Sequence, residues 1–248
     1  MTKIALVTGA SRGIGRATAL LLARQGYAVG INYLQDAAAA RQVVAEIESL
    51  GGRALALQAD IADEAQVMAM FSALDAGLGT LCALVNNAGI LFQQGNIEQL
   101  TAERINKVLS TNVTGYFLCC REAVKRMAQR HGGRGGAIVN VSSAASRLGA
   151  PGEYVDYAAS KGAVDTLTTG LALEVAAQGI RVNAVRPGLI YTEMHASGGE
   201  PGRVDRVKDS LPMRRGGQPQ EVADIIAWLL SDAASYVTGS FIDAAGGR

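Results

Sequence analysis

The stretch KIALVTGASRGIGRATALLLARQ, Lys3 to Gln25, decides the fold. Ile4 to Val7 read as a short apolar strand, Gly9, Gly13 and Gly15 crowd the turn after it, and apolar residues then recur at helical spacing. A strand running into a glycine-rich turn and a helix opens a βαβ unit. There the backbone can approach a phosphate closely and the helix N-terminus faces its charge. The spacing is G-x-x-x-G-x-G, one residue longer at the first gap than the usual fingerprint. Thr8 and Gly9 stop the apolar run before it reaches signal-peptide length, and no stretch approaches the roughly 20 apolar residues of a membrane span.

Outward from this unit the alternation continues. YAVGIN, RALALQ, LCALVN, AIVNVS, IRVNAV and FIDA read as further strands, with helix-period segments such as AAAARQVVAEIESL and EAQVMAMFSALD between them. The strands are apolar on both faces, as in a parallel sheet covered on each side. The predicted fold is α/β, a Rossmann-type doubly wound parallel sheet of about seven strands with helices on both faces, in one domain over residues 1–248.

Composition excludes several classes of function. A net charge of +1 gives no electrostatic reason to expect nucleic acid or a membrane as partner. His131 and His195 stand far apart, so no metal site is expected. Cys82, Cys119 and Cys120 form no C-x-x-C pair and leave an odd count, which fits a reducing, cytoplasmic setting.

Gly9, Ser11, Arg12, Gly13, Ile14 and Gly15 are the candidate phosphate cradle. The second strand ends in Asn32 and Tyr33, where an acidic residue would normally take the adenosine ribose 2′-hydroxyl. Neither is acidic, and Arg12 could pair with a 2′-phosphate. NADP(H) is therefore the preferred cofactor, with NAD(H) the alternative. Asp36 reads as the N-cap of the next helix. Asp60 and Ile61, ending the third strand, fall where adenine would lie, and Asp60 could equally cap the helix that follows. Asn87, Ala88 and Gly89, in NNAG, end the fourth strand at the ligand-binding edge of such sheets.

GEYVDYAASKG, residues 152–162, holds two tyrosines. Tyr157 has Lys161 four residues on, on the same helix face, and a nearby ammonium favours a phenolate. Moving a tyrosine from about 10 to near 7 takes roughly 4 kcal/mol. Tyr154 has only Ala158 at that spacing and reads as a packing residue.

TGASRGIG, Asp60, NNAG, Asn112, the serines of VNVSS and YAASK together resemble the short-chain dehydrogenase/reductase family, in its compact single-domain branch. The resemblance runs the length of the chain, through NAVRPGLIYTEM and SYVTGSFIDAAGG. It implies that Tyr157 is the general acid/base and that Lys161 holds the nicotinamide ribose and lowers the Tyr157 pKa. It implies further that a serine binds the substrate carbonyl oxygen and that Asn112 holds a water relaying protons to Lys161. Pro187, Gly188, Ile190 and Thr192 would line the nicotinamide face. The family commonly places the serine 13 residues before the tyrosine, whereas Ser143 is 14 and Ser142 is 15 before it. Ser143 is chosen, with the extra residue assigned to the loop RLGAPGEYVD, and Ser142 is the alternative. DAAGG near the C-terminus also departs from the usual DGG.

The segment between Thr192 and about Pro212 would cover the substrate, with Glu193, His195 and Arg203 expected to be solvent-exposed. The wording resembles glucose-dehydrogenase-like members, implying a small polar or sugar-like carbonyl or alcohol as substrate. The alternative is a 3-oxoacyl-(acyl-carrier-protein) reductase, with Arg121, Lys125, Arg126 and Arg130 as a docking patch. A non-catalytic dinucleotide-binding regulator is the rival of another class. The resemblance also implies a homotetramer that uses the helices containing Asn112–Met127 and Tyr157–Ala176 and the last strand.

Overall fold

A computed structural model describes residues 2–248. Seven strands form one parallel sheet: β1 Lys3–Val7, β2 Tyr27–Tyr33, β3 Ala54–Gln58, β4 Ala83–Asn86, β5 Gly136–Val141, β6 Ile180–Pro187 and β7 Phe241–Ala244. Their order is β3-β2-β1-β4-β5-β6-β7, so the chain reverses its direction of travel between β1 and β4. That reversal opens a crevice at the carboxyl edge. All seven strands read from the sequence are present.

The helices are α1 Gly13–Arg24, α2 Ala37–Ser49, α3 Glu64–Gly77, α4 Ala102–Leu109, α5 Gly115–Met127, α6 Ala145–Leu148, α7 Val155–Val175, α8 Met194–Ser197, α9 Arg203–Val207 and α10 Pro219–Leu230. Strand residues alternate between two cores. Ile4 and Leu6 of β1 pack with α3, α5 and α7 through Phe71, Tyr116 and Val164. Ala5 and Val7 face the other way, against Leu22 of α1, Val43 of α2 and Ile226 of α10. Burial on both faces is why the strands read as unbroken apolar runs.

Local capping settles two readings. Asp36 does cap α2, its carboxylate accepting the Ala39 amide at 2.9 Å. Asp60 does not cap α3. Asp63 does, accepting the Gln66 amide at 3.0 Å, while Asp60 closes a tighter turn onto the Ala62 amide at 2.9 Å. The strand stops at Gln58 rather than at Asp60, and the five residues Ala59 to Asp63 separate it from the helix, which leaves Asp60 just beyond the sheet edge.

Candidate active site

The glycine turn is shaped by what touches it. Gly9 has φ +62°, and a Cβ there would lie 2.9 Å from Cα of Ala88. A Cβ at Gly15 would lie 2.3 Å from the Gly9 carbonyl oxygen and 2.5 Å from Nδ2 of Asn87. Any side chain at either position would push the turn out of shape. The Thr8 hydroxyl accepts the Asn87 and Ala88 amides at 2.9 and 3.0 Å, and the Asn87 side chain donates to the Thr8 and Gly9 carbonyls. The adjacent residues of NNAG thus fasten the turn to the end of β4.

A cleft along this edge is lined by Gly9, Ser11, Arg12, Gly13 and Ile14, by Asn32 and Tyr33, by Asp60 and Ile61, and by Asn87, Ala88, Gly89 and Thr192. Gly15 lies behind the turn and does not line it. Asn32 is almost wholly buried, accepting the Gly9 amide and donating to the Leu57 and Ala59 carbonyls, so it braces the turn from below. Arg12 is exposed at the cleft, and its guanidinium makes no ion pair among the described residues. A narrow turn with no room for Cβ atoms, ahead of a helix N-terminus, fits a dinucleotide pyrophosphate. The nicotinamide of such a cofactor would supply the hydride-carrying carbon.

A second pocket shares the wall formed by Ile14, Asn87, Leu91, Thr192 and Met194. Ser142, Ser143, Tyr157, Lys161, Pro187, Gly188 and Ile190 line it. Tyr157 and Lys161 sit in the first two turns of α7, whose start is pinned by an Asp156–Arg104 pair at 2.8 Å. Ser143 hydrogen-bonds the Tyr157 phenol. Ser142 turns away, donating to Asp165 at 2.6 Å, and is almost wholly buried. Of the two serines, Ser143 is the one brought to the phenol.

The ionisation differs from the expectation drawn from spacing. Burial pushes the Tyr157 phenol up to about 12, the Ser143 hydrogen bond pulling only weakly the other way. Burial also brings the Lys161 ammonium down to about 7, against the pull of Asp165. The Lys161 ammonium donates to the Val141 carbonyl at 2.7 Å and to the Tyr116 hydroxyl at 3.2 Å, not to Tyr157. Desolvation therefore outweighs the expected charge attraction, and Tyr157 rests as a protonated acid at neutral pH.

Asn112 lies outside both pockets, wholly buried in one turn of π-helix, Ser110–Thr114, between α4 and α5. It donates to the Ser160 hydroxyl at 3.1 Å and grips the backbone of Ile90.

Other residues depart from their expected exposure. Glu193 is exposed, but His195 is half-buried with Nε2 against the Ile190 carbonyl, and burial lowers its pKa. Arg203 is buried, pairing with Glu153 at 2.5 Å and donating to the Tyr154 hydroxyl at 3.3 Å. Tyr154 does have a charged partner, supplied from far along the chain. Thr8, Tyr116 and Arg203 are site residues that local spacing did not mark. The proposed docking cations are mostly spoken for: Arg121 pairs with Glu64, Lys125 with Glu122, and Arg126 with Asp75 and Glu122. Among the described residues no cluster of three or more His, Cys, Asp or Glu could hold a metal, and no helix is long and apolar enough to cross a membrane.

A tyrosine–lysine pair beside a serine, opening onto a dinucleotide cleft in a doubly wound sheet, defines a class. The chain belongs to the short-chain dehydrogenase/reductase family and is an NAD(P)-dependent oxidoreductase of CH–OH and C=O groups. The family model described as enoyl-(acyl carrier protein) reductase matches residues 9–248. The chain is 76% identical to an uncharacterized oxidoreductase, YgfF, of Escherichia coli K12, over 99% of both chains. It is 40% identical to 3-oxoacyl-(acyl-carrier-protein) reductase FabG of Staphylococcus aureus, over 100% of this chain and 98% of that one. A short-chain dehydrogenase from Burkholderia cenocepacia, solved in complex with NADP, superposes with a TM-score of 0.90 at 35% identity, covering 99% of this chain and 97% of that one. Acetoin dehydrogenase YohF of Salmonella typhimurium gives 0.88 at 34% identity, over 100% and 97%.

Proposed function

We propose that the enzyme uses NADP(H) to interconvert a small, polar carbonyl compound and its secondary alcohol, with Tyr157 as the general acid/base. The observation carrying this is that Ser143, a buried Tyr157 and Lys161 line one pocket, which shares a wall with the dinucleotide cleft. In reduction, hydride adds to the carbonyl carbon and Tyr157 gives its phenolic proton to the oxygen, completing the alcohol. Ser143 orients that oxygen, and Lys161 offers positive charge to the phenolate left behind. Oxidation runs these transfers backwards.

The pocket's mixed lining, with Ser143, Tyr157 and His195 beside apolar residues, supports a small polar substrate. Arg203 is already neutralised by Glu153, with Glu200 at 3.8 Å, while Arg248 lines the same pocket with no ion pair among the described residues. Arg203 also ties the covering segment to the residues just before α7. For the cofactor, non-acidic Asn32 and Tyr33 and the free Arg12 favour a 2′-phosphate, and the NADP-bound structural relative is consistent with this.

Reduction of an acyl-carrier-protein-linked 3-oxoacyl group is the second reading, favoured by the FabG relatives. It is weakened by the paired state of Arg121, Lys125 and Arg126. The homotetramer also stays a proposal, supported by exposed Phe117 on α5, Leu173 on α7 and Tyr236 before β7. Light scattering of the purified protein tests it, and a monomeric mass would refute it.

The function itself is tested by following NADPH absorbance across small diketones, hydroxyketones, sugars and a 3-oxoacyl thioester. Turnover should concentrate on the small polar carbonyls, and Tyr157→Phe should lower it by roughly 10³-fold with NADPH affinity retained. A Tyr157→Phe enzyme of wild-type rate would sink the catalytic assignment.

A further inference from the structure

Asn112 and Tyr116 stand four residues apart across the π-turn and the start of α5, and both face α7. Each meets a successive residue there: Asn112 the Ser160 hydroxyl at 3.1 Å, Tyr116 the Lys161 ammonium at 3.2 Å. Tyr116 is wholly buried, and its hydroxyl also donates to the Val141 carbonyl at 3.1 Å. Lys161 reaches the same carbonyl at 2.7 Å, closing a three-membered ring of polar atoms beneath the pocket.

The direction of each bond in this ring is fixed by chemistry. An ammonium only donates and a carbonyl only accepts, so the Tyr116 proton goes to Val141 and its lone pair receives Lys161. The ammonium has three N–H groups, of which two are committed inward, to Val141 and to Tyr116. We propose that Tyr116 is a positioning residue for the oxidoreductase reaction: its hydroxyl keeps Lys161 in the ammonium form and aims the one remaining N–H at the active-site pocket. The inference rests on the role given to Lys161 above.

The surroundings leave Tyr116 as the principal uncharged support that a side chain can withdraw. From α7, Tyr157 and Asp165 face Lys161, and Asp165 is held by Ser142 and Arg186. From the end of β5 come the Val141 carbonyl and, just after it, Ser142, whose hydroxyl lies 3.3 Å from the Lys161 carbonyl while giving its proton to Asp165. From α5, only Tyr116 touches the ammonium, with the buried thiols of Cys119 and Cys120 beyond it. Burial holds the Tyr116 phenol far above its ordinary range, so it serves as a neutral acceptor and gives up no proton. Replacing it by phenylalanine keeps the ring but removes one of the two inward acceptors, in a place water does not reach. The charged form of Lys161 should then become harder to keep.

The test is direct, because the chain has only five lysines: Lys3, Lys107, Lys125, Lys161 and Lys208. With 13Cε-labelled lysine, the Lys161 signal is assigned as the one missing in Lys161→Met and titrated in the full-length protein. In Tyr116→Phe its deprotonation midpoint should fall by about half a pH unit or more, a change of roughly threefold in the equilibrium. Site-specific 3-fluorotyrosine at position 116 keeps the hydroxyl but makes it a poorer acceptor, and should give a smaller fall of the same sign. It also supplies the reading if the phenylalanine variant does not fold. A Lys161 midpoint unmoved in either protein would overturn the inference, as would loss of thermal stability without a midpoint change. The readout needs neither substrate nor cofactor, so its failure is distinct from failure of the functional assignment, which Tyr157→Phe decides.

Discussion

Asn112 holds Ile90 by both of its backbone groups, its side-chain oxygen accepting the Ile90 amide at 2.8 Å and its nitrogen donating to the Ile90 carbonyl at 2.9 Å. The side chain behaves as a fragment of β-strand, extending the edge of the sheet past NNAG and tying it to the π-turn. Asn112→Leu should therefore lower stability by about 2–4 kcal/mol, because both Ile90 groups lose a buried partner. Asn112→Asp keeps the acceptor and loses the donor. Thermal melts should rank wild type above Asp, and Asp above or level with Leu; a leucine variant of wild-type stability would refute the brace.

Ser142 and Ser143 are adjacent yet differently employed. Ser143→Ala should reduce turnover by about 10²-fold with little change in melting temperature, since it removes a group facing the substrate oxygen. Ser142→Ala should instead lower stability by about 1 kcal/mol through the lost Asp165 bond, with a smaller effect on rate. Steady-state kinetics beside melts of the two variants distinguish them, and the reverse pattern would exchange their roles.

The two reaction directions should respond oppositely to pH. Reduction needs the protonated phenol, which is present below the Tyr157 pKa and lost above it; that pKa is raised by burial to about 12. Carbonyl reduction should thus stay level up to at least about pH 9 as far as this group is concerned. Alcohol oxidation needs the phenolate and should climb with pH over the same range. Initial rates with saturating cofactor in both directions check this. A reductive rate that falls near pH 7 without following the titration of Lys161, itself brought down to about 7, would show a Tyr157 acid far stronger than the buried phenol described here.

Arg12 lies exposed at the cleft, without an ionic partner among the described residues. Its replacement by alanine should weaken NADPH binding about tenfold, the worth of one charge-assisted bond, and leave NADH binding nearly unchanged. Fluorescence titration of both nucleotides measures this. Equal losses for the two would remove the case for a 2′-phosphate contact.

The seven strands and the glycine turn were legible because their signals are local: apolar runs of strand length, and glycines directly after the first of them. Tyr157, Lys161 and the NNAG edge were legible through spacing within a helix and position at a strand end. What escaped depends on contacts between distant segments. Tyr116 looks in sequence like one more apolar helix residue, and nothing near it indicates that a lysine 45 positions away donates to its hydroxyl. Arg203 lies in a polar, glycine-rich stretch that reads as solvated, yet Glu153 and Tyr154 bury it. The Tyr157 pKa was expected to fall because a lysine four residues on is visible in sequence, while desolvation of both groups is not. Asp60 and Asp63 are alike as capping candidates, and only the extra turn between strand and helix separates them.

The Arg203–Glu153 pair joins the cover of the pocket to the residue two places before α7 begins. A lifted cover would withdraw the counter-charge beside the loop that leads to Tyr157, and a seated cover restores it. One ion pair thus spans two walls of the pocket, so the segment over it and the loop that carries the acid share a fastening.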